Sequence, residues 1–181
     1  MCDTCFEQTY NLPLIEHLKS RHVDFSLHKF HLDYPLAYFY LTNLSGQLVG
    51  YQQYNFLADK TRRNDPREGR YYTYKSEGTL VVFGVETLHL TPGLVFLVEG
   101  MFDAARLSSR GFSALAVLSN NPTQDLKGFL KCLNRKVVVV YDNDSAGKKL
   151  AAFGNEAVCL DSKDVGDASE EELDQLLRKY V

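Results

Sequence analysis

At 181 residues and 45% hydrophobic side chains, the chain holds enough apolar material for one α/β core and a smaller companion unit. Its formal charge of −3 excludes a polycationic nucleic-acid coat. No apolar run approaches the ~18 residues of a membrane helix and no secretory leader pattern is present, so no membrane is expected, and a cytoplasmic protein with reduced thiols is.

Cys2 and Cys5 form a single C-x-x-C with no second pair at zinc-ribbon spacing. His17, His22, His28 and His31 follow in no finger-like order. Structural zinc is not expected, and the two cysteines read as free thiols. Next, Asn11 is placed to cap a helix over Leu12–His22, with Pro13 in its first turn where proline is tolerated. Ala37–Leu41 and Gln47–Tyr51 read as strands, joined in a hairpin through Asn43–Gly46. A loop follows in which Lys60, Arg62, Arg63, Arg67, Arg70 and Lys75 outnumber Asp65 and Glu68. It reads equally as a docking surface for phosphates or as an ordinary solvated loop. Two further strands, near Arg70–Lys75 and Thr79–Phe83, complete a small antiparallel α+β unit over residues 1–90.

The pattern then changes to alternation over residues 91–181, with the boundary near His89–Gly93. Strands at Leu94–Val98, Ala114–Leu118, Lys136–Tyr141 and Ala157–Leu160 are interleaved with helices near Met101–Ser109, Gln124–Leu133 and Ala146–Phe153. A last helix, Ser169–Tyr180, opens on a capping box of Ser169 and Glu172. Alternation of this kind implies a mainly parallel sheet flanked by helices. The runs Leu94–Val98 and Val137–Val140 are short, apolar and uncharged, as suits strands buried on both faces.

Both runs end in carboxylates. Glu99-Gly100 follows the first, with Asp103 one helical turn on; Asp142-Asn143-Asp144 follows the second. Ligands of open α/β sheets bind at the carboxyl ends of strands. Carboxylates gathered there repel one another unless a cation lies among them, and hard oxygen donors favour Mg²⁺ or Mn²⁺. A third acidic group, Asp164 to Asp167, follows the fourth strand, though Asp167 could equally open the last helix.

The ordered set Val98-Glu99-Gly100 with Asp103, Tyr141-Asp142-Asn143-Asp144 with Gly147, and Lys163-Asp164 with Asp167 resembles a TOPRIM domain. TOPRIM is the metal-binding module of topoisomerases, DnaG-type primases and some nucleases. Ser45–Gln52, the basic loop and Tyr71–Gly84 are similar to the segment before TOPRIM in DnaG-type and phage primases. In two places the family pattern is not kept: Gln52-Gln53-Tyr54 stand where an arginine often follows the Gly-Tyr, and Ser119-Asn120-Asn121 where a glycine-containing turn is common.

The resemblance implies a TOPRIM-like sheet preceded by a small basic subdomain that handles nucleic acid and nucleotides. It also implies a nucleotidyltransferase of phage or plasmid type that makes short primers from nucleoside triphosphates on single-stranded DNA. Glu99, Asp142 and Asp144 would be catalytic and hold Mg²⁺ or Mn²⁺, with Asp103 and Asp164 in support. Lys60, Arg62, Arg63, Arg67, Arg70 and Lys75 would hold phosphates, and Tyr51, Tyr54, Tyr71 and Tyr72 could stack on unpaired bases. A helicase or a separate zinc-binding primase subunit would be the partner, and the host cytoplasm the location for a phage-encoded chain. Two other readings stay open: a metal-dependent nuclease on the same acids, and a non-catalytic module that binds single strands or a replisome.

Overall fold

The computed structural model describes residues 3–61, 63–119, 122–141, 145–162 and 164–181; the side chains of residues 3–9, 145 and 146 are outside that description. The chain divides into two compact units, Met1–Val81 and Val82–Val181.

The first unit sets one helix, α1 (Asp3–Ser20), on a four-stranded antiparallel sheet of β1 (Phe30–Asp33), β2 (Leu36–Thr42), β3 (Leu48–Asn55) and β4 (Tyr71–Lys75), in that order. The helix begins well before Asn11, so Pro13 lies inside it and Asn11 is no cap; its Oδ1 instead accepts the Tyr34 N–H at 3.0 Å. Leu14 and Leu18, one turn apart, are fully buried. Strand β2 alternates strictly: Ala37, Phe39 and Leu41 face the core, while Tyr38 and Tyr40 face out. Burying a side chain of this size contributes ~2 kcal/mol, and this alternation sets the register. Phe39 pairs with Phe30 and Gln52, Tyr40 with Tyr51.

The second unit is a parallel sheet flanked by helices, with β6 (Ala114–Ala116), β5 (Leu94–Val98), β7 (Lys136–Tyr141) and β8 (Glu156–Cys159) in the spatial order β6-β5-β7-β8. Its helices are α2 (Met101–Ser109), α3 (Gln124–Leu133), α4 (Ser145–Ala151) and α5 (Glu170–Leu177). The central strands are buried along most of their length: Val95 to Val98 and Val137 to Val140 form the floor of the core.

Thr79–Phe83 is not a strand. Only Phe83 pairs, as an isolated bridge to Ala116 on the outer side of β6. Gly84 makes this approach possible: its φ is +94°, and a Cβ there would lie 2.1 Å from the Ala114 carbonyl oxygen. Buried Thr87 completes the cover of β6, its hydroxyl donating to Ala114 O and accepting the Ala114 N–H, both at 3.0 Å.

Candidate functional site

Strands β5, β7 and β8 run parallel, with Leu97 beside Val139 and Tyr141 beside Cys159. Their carboxyl ends therefore share one edge of the sheet. Glu99 follows β5 directly, Asp142 follows the last residue of β7, and the 161–167 loop follows β8. Asp142 and Asp144, together with Arg62 of the basic loop, lie outside the described residues. Among the described residues, no three His, Cys, Asp or Glu side chains are grouped to hold a metal ion.

Glu99 sits in the turn between β5 and α2, with its Oε1 buried. Its carbonyl accepts the Leu118 N–H at 3.1 Å, tying the turn to the end of β6. Leu118 has a φ of +56°. A leucine in this left-handed region costs on the order of 1 kcal/mol. The left-handed position thus falls one residue before Ser119, and it is not a glycine.

Gly100 caps α2 with extended backbone, and its missing side chain makes room for Asp103: a Cβ at Gly100 would lie 2.6 Å from Asp103 Oδ2. Asp103 is folded back over the first turn of its own helix, where the helix N-terminus favours negative charge. Its other oxygen, Oδ1, accepts the Gly166 N–H at 2.8 Å. Asp164 closes its own loop, its Oδ1 accepting the Asp167 N–H at 2.8 Å. Asp167 therefore belongs to the loop and does not open the last helix. Ser169 is the cap, accepting the Glu172 N–H at 3.1 Å. The reciprocal half of the capping box is absent, because the Glu172 carboxylate turns to the N–H groups of Asp161 at 2.7 Å and Ser162 at 3.2 Å. Those donors hold its pKa below the usual carboxylate range.

One residue that sequence reasoning missed organises this loop. Arg106, only 4% exposed, donates through Nη1 to the carbonyls of Val165 at 2.7 Å and Gly166 at 3.1 Å. Its Nη2 pairs with Glu170 at 2.7 Å, and Arg110 joins Glu170 and Asp174. The third acidic loop is thus gripped from both sides of the Val165–Gly166 peptide, Asp103 taking the Gly166 N–H and Arg106 the Val165 carbonyl. The available signal was α2 itself: Met101, Phe102, Ala104, Ala105, Leu107 and Ser108 are all buried, so an arginine among them has to find its partners inside.

The basic segment of the first unit is less available than its count of charges implies. Arg63 pairs with Asp59 at 3.1 Å, and Arg67 with Asp65 at 2.7 Å. Hydrogen bonds from Thr61 and from Arg67, respectively, hold Asp59 and Asp65 below the usual range. Arg70 donates Nε to the Ala58 carbonyl at 2.6 Å. Lys60 and Lys75 are exposed and form no ion pair with another described residue.

The four candidate tyrosines separate by face. Tyr54 is 3% exposed, hydrogen-bonded to His17 Nε2 at 2.8 Å and stacked on its ring, so it is core and cannot stack on a base. Tyr71, its cross-strand partner, packs on Tyr54. Tyr51 and Tyr72 lie on the outer face. There Tyr51 stands in register with Tyr40 and Tyr74, at 38% and 48% exposure, and stacks on Tyr74 with ring centroids 5.2 Å apart. The sequence reading missed Tyr40 and Tyr74, although the period-2 alternation from Tyr38 and Tyr72 places both on this face.

Residues 96–164 match the Toprim-like family. The DNA primase of Aquifex aeolicus (strain VF5) is 31% identical over 107 residues, which make up 58% of this chain and 21% of that protein. Among solved structures, the Aquifex aeolicus primase with its zinc-binding and RNA polymerase domains is similar at a TM-score of 0.64 and 18% identity, over 96% of this chain and 54% of that one. A DnaG primase catalytic domain bound to single-stranded DNA is similar at 0.56 and 19% identity, over 91% of this chain and 54% of that one. The chain spans about a fifth of the curated relative's length and about half of those two structures. Residues 96–164 are thus Toprim-like, and the fold is similar to that of about half of a DnaG-type primase catalytic core.

Proposed function

We propose that this chain is the catalytic core of a primase, a nucleotidyltransferase that builds short primers from nucleoside triphosphates along single-stranded DNA. The observation that carries the reading is the shared edge at which the parallel strands β5, β7 and β8 give way to Glu99, Asp142 and the 161–167 loop, in a fold similar to primase cores over nearly its whole length.

The donor set fits a hard divalent cation. Glu99, Asp142 and Asp144 would supply the carboxylate oxygens, with Asp103 and Asp164 in support, and the missing Cβ of Gly100 leaves room for Asp103 Oδ2. Mg²⁺ or Mn²⁺, when bound, would offset charge on the triphosphate and favour deprotonation of the primer's 3′ hydroxyl. The chain's own residues hold the carboxylates in place for that work. Arg106 and Asp103 fix the loop carrying Asp164, and the Leu118 N–H fixes the turn carrying Glu99. In the first unit, Lys60 and Lys75 would neutralise template phosphates, with an affinity that falls as salt rises. Arg63 and Arg67 would have to exchange Asp59 and Asp65 for phosphate, and Arg62 would join them. Tyr51 and Tyr72, with Tyr40 and Tyr74, offer ring faces to unpaired bases. A helicase or a separate zinc-bearing subunit would select the template site, in the cytoplasm. No described helix is long and apolar enough to cross a membrane.

The test is primer synthesis on mixed-sequence single-stranded DNA with Mg²⁺ or Mn²⁺ and labelled nucleotides, beside the Asp142→Ala, Asp144→Ala double variant. Short products that vanish in the variant would support the reading. Metal-dependent loss of template without nucleotide incorporation would replace it with a nuclease. Neither activity, with a zinc-bearing primase subunit also supplied, would leave a binding module.

A further inference from the structure

At the amino ends of β7 and β8, on the edge of the sheet opposite the acids, the second unit has a cleft of about 690 Å³. That volume falls within the roughly 300–1,000 Å³ of small-molecule sites. Four cations line it: Lys127 and Lys131 from α3, and Arg135 and Lys136 at the start of β7. No aspartate or glutamate is among the described lining residues. In a chain of net charge −3, this is a local concentration of positive charge.

Two of the four cations are committed to the fold. Arg135 donates to the carbonyls of Leu88 and Thr91. Lys136 pairs with Glu156 at 2.7 Å and lies over the Tyr180 ring. The other two are not. Lys127 and Lys131 are exposed, one helical turn apart on the same face of α3, and neither pairs with a described residue. Behind them Leu130 is buried and Phe153 half-buried, so apolar wall adjoins the charge. Two unmatched ammonium groups beside an apolar wall suit a ligand with an anionic end and a flat or apolar end.

We propose that this cleft binds a phosphate-bearing ligand of nucleotide size, its phosphates on Lys127 and Lys131 and its ring against Leu130 and Phe153. The site is separate from the acidic edge and does not rest on the primase reading. It contains no carboxylate, so binding does not require a divalent cation.

Calorimetric titration of the full chain with ATP in EDTA tests this, because chelation removes any binding that depends on a metal at the acidic edge. One molecule should bind per chain. Lys127→Glu with Lys131→Glu should weaken binding at least about tenfold, the scale of losing charge-assisted contacts. Lys127→Gln with Lys131→Gln should give a smaller loss, and neither pair should shift Tm, since both side chains are exposed. No binding by the wild type, or equal binding by the charge-reversed variant, would overturn the proposal. A single-stranded oligonucleotide that loses affinity in the variant while ATP does not would also overturn it, by assigning the cations to a strand backbone.

Discussion

Replacing Arg106 by methionine tests whether the third acidic loop is held by one buried cation. The guanidinium is withdrawn from water and donates to two carbonyls, at 2.7 and 3.1 Å. Charge-assisted bonds of this kind are worth ~1.5–3 kcal/mol each. Exposed Glu170 is left out of that figure. Water entering the vacated space recovers part, and methionine keeps the packing of the aliphatic stem, so the second unit should lose ~3 kcal/mol. Urea unfolding followed by circular dichroism reads this as a lower midpoint at an unchanged slope. Hydrogen exchange at the Gly166 amide, held by Asp103 Oδ1, should quicken more than exchange along β5. Arg106→Lys should recover only part of the loss, because one ammonium cannot span both carbonyls and Glu170. A loss below 1 kcal/mol, or an equal loss in Glu170→Gln, would refute the clamp.

Gly100→Ala would set a methyl 2.6 Å from Asp103 Oδ2, a side-chain atom that can rotate away. Asp103 should swing off Gly166, with a stability loss of ~1 kcal/mol and faster Gly166 exchange, and, under the proposed primase function, primer synthesis should fall further than the loss of folded protein accounts for. Burial first, then Arg21 and Arg70, lowers the His17 pKa below its usual 6.5. The unfolded chain therefore takes up the proton first as pH falls. The contribution of neutral His17 to stability is complete above pH 6.5 and is lost as pH drops from there towards the folded value. Denaturant midpoints between pH 7.5 and 5.5 should show this slope in the wild type, and His17→Gln should flatten it.

The parallel half was legible because fully buried strands write themselves as uninterrupted apolar runs. Val137–Val140 and Leu94–Val98 carry the pattern, and Met101–Ser109 and Gln124–Leu133 match their observed helices. The antiparallel half was read less well, for local reasons. Phe30–Asp33 has only four residues, too few to show alternation, and Thr79–Phe83 looks like a strand yet pairs only through Phe83, with Ala116 of its own unit. At the site, the order of the acids was visible, but what each does with its oxygens was not. Asp164 and Asp167 share a turn, and the grip of Arg106 on residues 165 and 166 joins segments about sixty positions apart. Charge counting overestimated the basic loop, because Asp59 and Asp65 stand four and two residues before the arginines they occupy.

The outward tyrosine face gives the chain a built-in optical label. There is no tryptophan, and nine of the eleven tyrosines precede Val82; only Tyr141 and Tyr180 follow it. Intrinsic fluorescence therefore watches the antiparallel unit almost alone, whereas far-ultraviolet dichroism sums over both. Monitored together, the two signals resolve how each unit melts without cutting the chain. A strand stacking on Tyr51 or Tyr74 would register as quenching with no dye attached.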